Sequence, residues 1–95
     1  MNIISINRKV KQIVCAEGQE VRIREWNDMA QDFGIRSKHG DIDCAGVFIS
    51  SMLHLCGNKA IIKYIDNQGY RIGLKFLNYK GVTDYIYSPD MIEPI

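Results

Sequence analysis

From Tyr70 to Phe76 apolar and polar positions alternate, with Tyr70, Ile72, Leu74 and Phe76 on one side and Arg71, Gly73 and Lys75 on the other. Successive side chains of a strand point to opposite faces, so this segment is predicted as a strand with one buried face. Upstream, Lys59 to Ile65 places Ala60 and Ile62 inward, with Ile65 rejoining that face after an irregularity. Asp66-Asn67-Gln68-Gly69 between them carries hairpin chemistry, Gly69 suiting a positive φ. Asn78-Tyr79-Lys80-Gly81 repeats the turn chemistry, which makes Val82 to Tyr87 the next expected strand. Ser88-Pro89-Asp90 then reads as a tight turn of 3-10 type and Met91-Ile92 as a closing strand.

Nearer the start, Val21 to Trp26 is predicted as a strand, with Val21 and Ile23 facing one way and Arg22 and Arg24 the other. Asn27-Asp28 offers a helix cap, Met29 and Phe33 share a helical face, and Gly34 supplies the stop. A helix of about two turns does not stand alone, so Met29 and Phe33 are expected to dock it. Ile35 to Asp43 reads as an exposed loop and Ala45 to Ile49 as a short strand. Ser50 or Ser51 could cap a brief helical turn through Met52 and Leu55, closed by Gly57. Met1 to Glu20 stays open between a short helix with Ile6, Val10, Ile13 and Val14 on one face and a strand through Ile13-Val14-Cys15, before a turn at Glu17-Gly18-Gln19.

These elements predict a mainly β fold: a small barrel with one or two short helices inserted after its first strand. Closure is favoured because short turns connect the strands and a closed roll leaves no exposed edge. The 95 residues fit one domain, residues 21–95, with an excursion over residues 27–58 and an N-terminal extension over residues 1–20. No apolar run approaches the roughly 20 residues needed to span a bilayer. The basic residues Arg8, Lys9 and Lys11 follow the apolar start rather than precede it, the reverse of a secretory signal. A cytoplasmic protein is expected, with Cys15, Cys44 and Cys56, an odd number, as reduced thiols.

The order of strand, long excursion, two hairpins, tight turn and short strand, together with Ser88-Pro89-Asp90-Met91-Ile92-Glu93-Pro94-Ile95, resembles the Src-homology-3-like barrel. The resemblance spans Val21 to Ile95 at the level of fold, with the region from Arg24 to Lys59 poorly matched. The chain is also similar to small uncharacterised proteins encoded by bacteriophages and prophages, through Val21-Arg22-Ile23-Arg24-Glu25-Trp26-Asn27-Asp28-Met29, Leu55-Cys56-Gly57 and the same C-terminal phrase. These likenesses imply a barrel and a mobile-element origin; they imply no activity. Proline-peptide-binding members of the fold carry a tyrosine in the terminal turn, where this chain has Met91, and a tryptophan opening the third strand, where it has none near Tyr70.

Net charge, +1 at neutral pH, is not the footprint of a strong nucleic-acid binder. Charge is nevertheless segregated: Lys59, Lys63, Arg71, Lys75 and Lys80 fall in a stretch whose only acid is Asp66, and with Tyr64 and Tyr79 they could contact phosphates and stack bases. Trp26, Tyr79, Tyr85 and Tyr87 are candidate anchors for a protein partner, since tyrosine and tryptophan are favoured there. His39, Cys44, His54 and Cys56 are the residue types of a zinc site, but His54 and Cys56 alternate and no Cys-x-x-Cys pair is present. Cys44 with His39 or His54, oriented by Asp41 or Asp43, is the conceivable thiol-catalytic set; Asp41 and Asp43 otherwise read as a solvated loop. The expectation is therefore non-catalytic recognition of a protein, a host factor being the partner the phage likeness implies, by a monomer or homodimer without a cofactor. A nucleic-acid accessory role for the basic strands is the alternative, and an enzyme a distant third.

Overall fold

A computed structural model describes residues 3–8, 11–66 and 70–95. In chain order the strands are β1 (Ile3–Arg8), β2 (Lys11–Ala16) and β3 (Glu20–Ile23), followed by helix α1 (Trp26–Phe33) and the short strands β4 (Ile42–Asp43) and β5 (Val47–Phe48). A 3-10 helix (Ser50–Leu55), β6 (Lys59–Ile65), β7 (Ile72–Phe76), a second 3-10 helix (Pro89–Met91) and β8 (Ile92–Pro94) complete the fold, which is mainly β. Among the described residues no helix is long and apolar enough to cross a membrane.

The main sheet is antiparallel, in the order β7-β6-β3-β8. Period-two burial explains it: Ala60, Ile62, Ile72, Leu74, Val21 and Ile23 are buried, while Lys59, Lys75 and Arg22 are exposed. The irregularity expected in β6 is a register shift between Ile62 and Tyr64, which lets Ile65 return to the buried face opposite Ile72. Of the β6–β7 turn, Asn67 to Gly69 lie outside the described residues. Its flanks close through the Asp66 N–H to the Arg71 carbonyl and the Tyr70 N–H to Asp66 Oδ1, both at 3.0 Å.

Opposite Tyr64 in this ladder sits Gly73, where a Cβ would come within 2.0 Å of the Tyr64 ring. Tyr64 is half-exposed and can swing outward, so Gly73→Ala is expected to cost about 1 kcal/mol in urea unfolding. In a Tyr64→Ala background the same change should instead stabilise by about 0.5 kcal/mol, because alanine loses less backbone entropy than glycine.

Of the two readings open at the N-terminus, the strand holds: β1 and β2 pair as a hairpin, with Ile4 opposite Cys15 and Ile6 opposite Ile13. The helical alternative also invoked Val10, which lies outside the described residues. Ile4, Ile6 and Cys15 are buried in the same apolar cluster as Val21, Ile23, Met29, Phe48, Leu55, Ile72 and Ile92, so hairpin, excursion and sheet share one core.

Several expectations are corrected. The segment Val82 to Tyr87 forms no strand; Tyr87 makes a single bridge to Ile72, and Ile86 and Val82 are exposed. The reason is local: the Thr83 carbonyl accepts the Tyr85 N–H at 2.9 Å and the Tyr87 hydroxyl at 2.6 Å, which turns the chain away from β7. Trp26 opens α1 rather than ending β3, with extended Glu25 at the cap position. Met29 docks α1 at 0% exposure, whereas Phe33 is 37% exposed. Gly34 ends the helix at φ +77°, its N–H returning to the Ala30 carbonyl.

Arg24 is the largest correction: it is 1% exposed, not on the outer face with Arg22. Its Nε donates to Asp28 at 2.7 Å, Nη1 to the Asp90 carbonyl at 3.0 Å, and Nη2 to the Asp32 carboxylate. The guanidinium also lies 5.7 Å from the Phe33 ring centre. Asp28 and Asp32 are four apart on one face of α1, so both reach the same cation. Burial opposes the charge, but the hydrogen bonds and charges of the two aspartates outweigh it and hold the guanidinium above its ordinary value. One side chain thereby joins the end of β3, helix α1 and the second 3-10 helix.

Candidate recognition surface

The 3-10 helix Ser50–Leu55 buries Met52 and Leu55 and leaves Ser50, Ser51, Leu53 and His54 exposed. The tight pitch of such a helix sends alternate side chains to different sides, and here two aromatic groupings flank it.

On one side, Leu53 lines a cleft of about 340 Å³ with Glu25, Trp26, Asn27, His39 and Gly40. The Trp26 indole N–H donates to the Gly40 carbonyl at 2.7 Å, fixing the ring against the loop before β4. That loop is organised by Asp41, whose carboxylate accepts Ser37 Oγ at 3.1 Å and the Ser50 N–H at 2.9 Å. Asp43 pairs with Arg36 at 3.2 Å. Asp41 and Asp43, the expected orienters of a thiol-catalytic set, are thus committed to loop structure and a surface ion pair.

On the other side, His54 stacks on Tyr79, the ring centres 5.7 Å apart and the planes 16° from parallel, and Tyr85 stands 6.2 Å from His54. The Tyr79 hydroxyl donates to the His54 carbonyl at 3.3 Å and meets His54 Nδ1 directly; the Tyr85 hydroxyl donates to the Ser51 carbonyl at 3.2 Å. Phe76 lies below, 5.9 Å from Tyr79 and 5.8 Å from Tyr87. Tyr87 is 2% exposed, and burial, followed by the nearby Tyr85, Asp84 and Tyr79, pushes its phenol above the ordinary value. Tyr87 therefore supports the cluster from beneath and offers no contact surface of its own, a correction to its choice as an anchor. Trp26, Tyr79 and Tyr85 are half-buried.

The basic residues Lys59, Lys63, Arg71, Lys75 and Lys80 are all exposed. Lys63 and Arg71 line a common cleft, and Lys59 stands 3.9 Å from Glu20. The four sulfur and imidazole candidates lie apart in function: His39 beside Trp26, His54 on Tyr79, Cys44 buried, Cys56 half-buried. Among the described residues no group of three or more His, Cys, Asp or Glu is placed to hold a metal ion. Burial pushes the Cys44 and Cys56 thiols up, Glu25 adding to the effect at Cys56, so neither is an activated thiolate.

Sequence reasoning missed Leu53 and singled out His54 only as a metal or catalytic candidate, because a lone leucine and a lone histidine in a short apolar segment carry no signal of facing. It also missed the burial of Arg24, although Arg24, Asp28 and Asp32 at spacings of four could have suggested a shared cation. No family model, curated protein or solved structure matches the chain.

Proposed function

We propose that the chain is a non-catalytic protein-recognition module on a small Src-homology-3-like roll, with the 3-10 helix Ser50–Leu55 at the centre of its contact face. The roll is supported by chain length. Tyr87 bridges β7, yet Ile92, five residues on, pairs with Ile23 of β3 on the far side of β6. In a flat sheet that path would cover about 19 Å, four strand spacings. Five residues with a 3-10 turn among them span about 13 Å, so curling of the sheet is the arrangement that fits.

One observation carries the recognition reading: Trp26, Leu53, His54, Tyr79 and Tyr85, from three distant segments, gather on the two flanks of one short helix. The indole and both tyrosine hydroxyls are tied to backbone carbonyls, so the rings lose little further freedom on binding. Fixed tryptophan and tyrosine rings are the residue types enriched in binding hot spots, and Leu53 adds exposed apolar surface between them. The phage likeness suggests a host protein as the partner, by analogy alone.

The test is affinity capture from the producing cell, identification of the captured protein, and titration of that purified partner. Leu53→Asp is expected to weaken binding at least about thirtyfold while leaving the thermal midpoint within a few degrees. Binding should persist in 0.5 M salt, roughly, because the contacts are apolar. If Lys63→Ala and Arg71→Ala abolish binding of that partner while Leu53→Asp does not, the 3-10 helix is not the contact face and this reading fails; a purified oligonucleotide that binds through the same two residues, with affinity falling steeply with salt, would put the nucleic-acid reading in its place.

A further inference from the structure

The outer edge of β7 borders a cleft that the recognition face does not use. The Ile72 N–H points away from β6 to the Tyr87 carbonyl, and Ile62, the register partner of Leu74, spends its backbone groups on Gln19 and Gly18, so Gly73 and Lys75 are the residues that turn their backbone groups toward β6. By alternation Ile72, Leu74 and Phe76 turn theirs outward. The Ile72 N–H is taken by the Tyr87 carbonyl at 3.0 Å; among the described residues no further backbone bond continues that ladder to Leu74 or Phe76. The local bonds of the Thr83 carbonyl hold Thr83 to Ile86 away from the strand. Between these walls lies a cleft of about 300 Å³ lined by Ile72, Gly73 and Leu74 on one side and Thr83 to Tyr87 on the other. Lys63 and Arg71 also line it, both exposed, and neither has an ion-pair partner among the described residues. Asp84 is the one acid in the lining.

We propose that this edge accepts an extended acidic peptide segment as an added β-strand. Main-chain hydrogen bonds to Leu74 and Phe76 would supply pairing, and glutamate or aspartate side chains would meet Lys63 and Arg71. Strand addition takes affinity from the exposed backbone edge and specificity from side chains on alternate positions. The charge balance, two cations against one acid, selects an acidic strand over a basic one. The unpaired edge favours a peptide over a nucleic acid, which has no strand backbone to offer. The proposal stands apart from the 3-10 helix face, since neither Leu53 nor Trp26 lines this cleft.

The test uses the full chain, an alternating glutamate–valine hexapeptide, its lysine–valine counterpart and a twelve-nucleotide oligothymidine. The acidic peptide is expected to bind about tenfold more tightly than the basic one and to slow amide exchange at Leu74 and Phe76, read by nuclear magnetic resonance. The double variant Lys63→Glu with Arg71→Glu, both on exposed side chains, should reverse the peptide preference. Failure of the acidic peptide to bind at about millimolar concentration (a 1 mM dissociation constant marks weak binding), equal affinity for both peptides, or binding without protection of Leu74 and Phe76 overturns the proposal. Tighter binding of the oligothymidine with those amides unprotected also overturns it, in favour of a nucleic-acid cleft. Strong protection of both amides in the free protein overturns it too, because the chain's own Thr83 to Ile86 segment would then already occupy the edge.

Discussion

Replacing Arg24 with methionine is expected to lower stability by about 4 kcal/mol and the thermal midpoint by about 20 °C. The change leaves the Asp32 carboxylate, with a side chain 17% exposed, beside the Asp28 carboxylate without the cation between them. It also removes the donor to the Asp90 carbonyl. Removing one partner of a buried pair costs far more than the pair contributes net, because the other partner stays desolvated. Asp28→Asn should cost less than Asp32→Asn, since the Asp28 side chain is 47% exposed and water can replace part of what it loses. A domain of this size holds about 5–15 kcal/mol in total, so the methionine variant should sit near the edge of folding. Urea unfolding monitored by circular dichroism measures this directly. A loss below about 1 kcal/mol, typical of exposed ion pairs, would show that solvent reaches the guanidinium and that the three elements are not joined through it.

Phe48→Ala should rival it, with a loss of about 4 kcal/mol, while Phe48→Leu should cost about 1 kcal/mol. Phe48 is 0% exposed and belongs to the apolar cluster that runs from β1 to β8. It lies on β5, inside the segment that the strand pattern treats as an excursion from the sheet. A large loss for alanine and a small one for leucine would mark the excursion as part of the core. Equal, small losses would mark it as a surface appendage that the sheet folds without. The recognition face makes this matter: Leu53 and His54 begin five residues beyond Phe48, so a loosened excursion should also weaken partner binding even though Phe48 touches no partner.

The β6–β7 hairpin was legible because apolar and polar positions alternate through β7, and the irregularity in β6 before Ile65 could be read from the facing of Ala60, Ile62 and Ile65. The second 3-10 turn was legible because Pro89 presets its backbone and Ser88 and Asp90 suit its ends. Val82 to Tyr87 misled for an equally physical reason. Its residues have strand propensity, but propensity competes with whichever hydrogen bonds the neighbourhood offers, and the Thr83 carbonyl found partners within its own segment. Trp26, Tyr79 and Tyr85 could be named as candidate anchors from residue type, whereas the sinking of Tyr87 into the core depended on its bridge to Ile72.

The sequence by itself determined the short-range elements: the period-two strands, the turns between them, the stop at Gly34 and the predominance of β structure. These rest on contacts between residues close along the chain, and one residue's neighbours suffice to specify them. Only the tertiary structure decided that Arg24 points inward, that the N-terminal hairpin and the excursion share one core, and that Leu53 and His54 stand between Trp26 and the tyrosines. Each of those depends on partners tens of residues away, and a side chain's burial is set by what the rest of the fold brings against it.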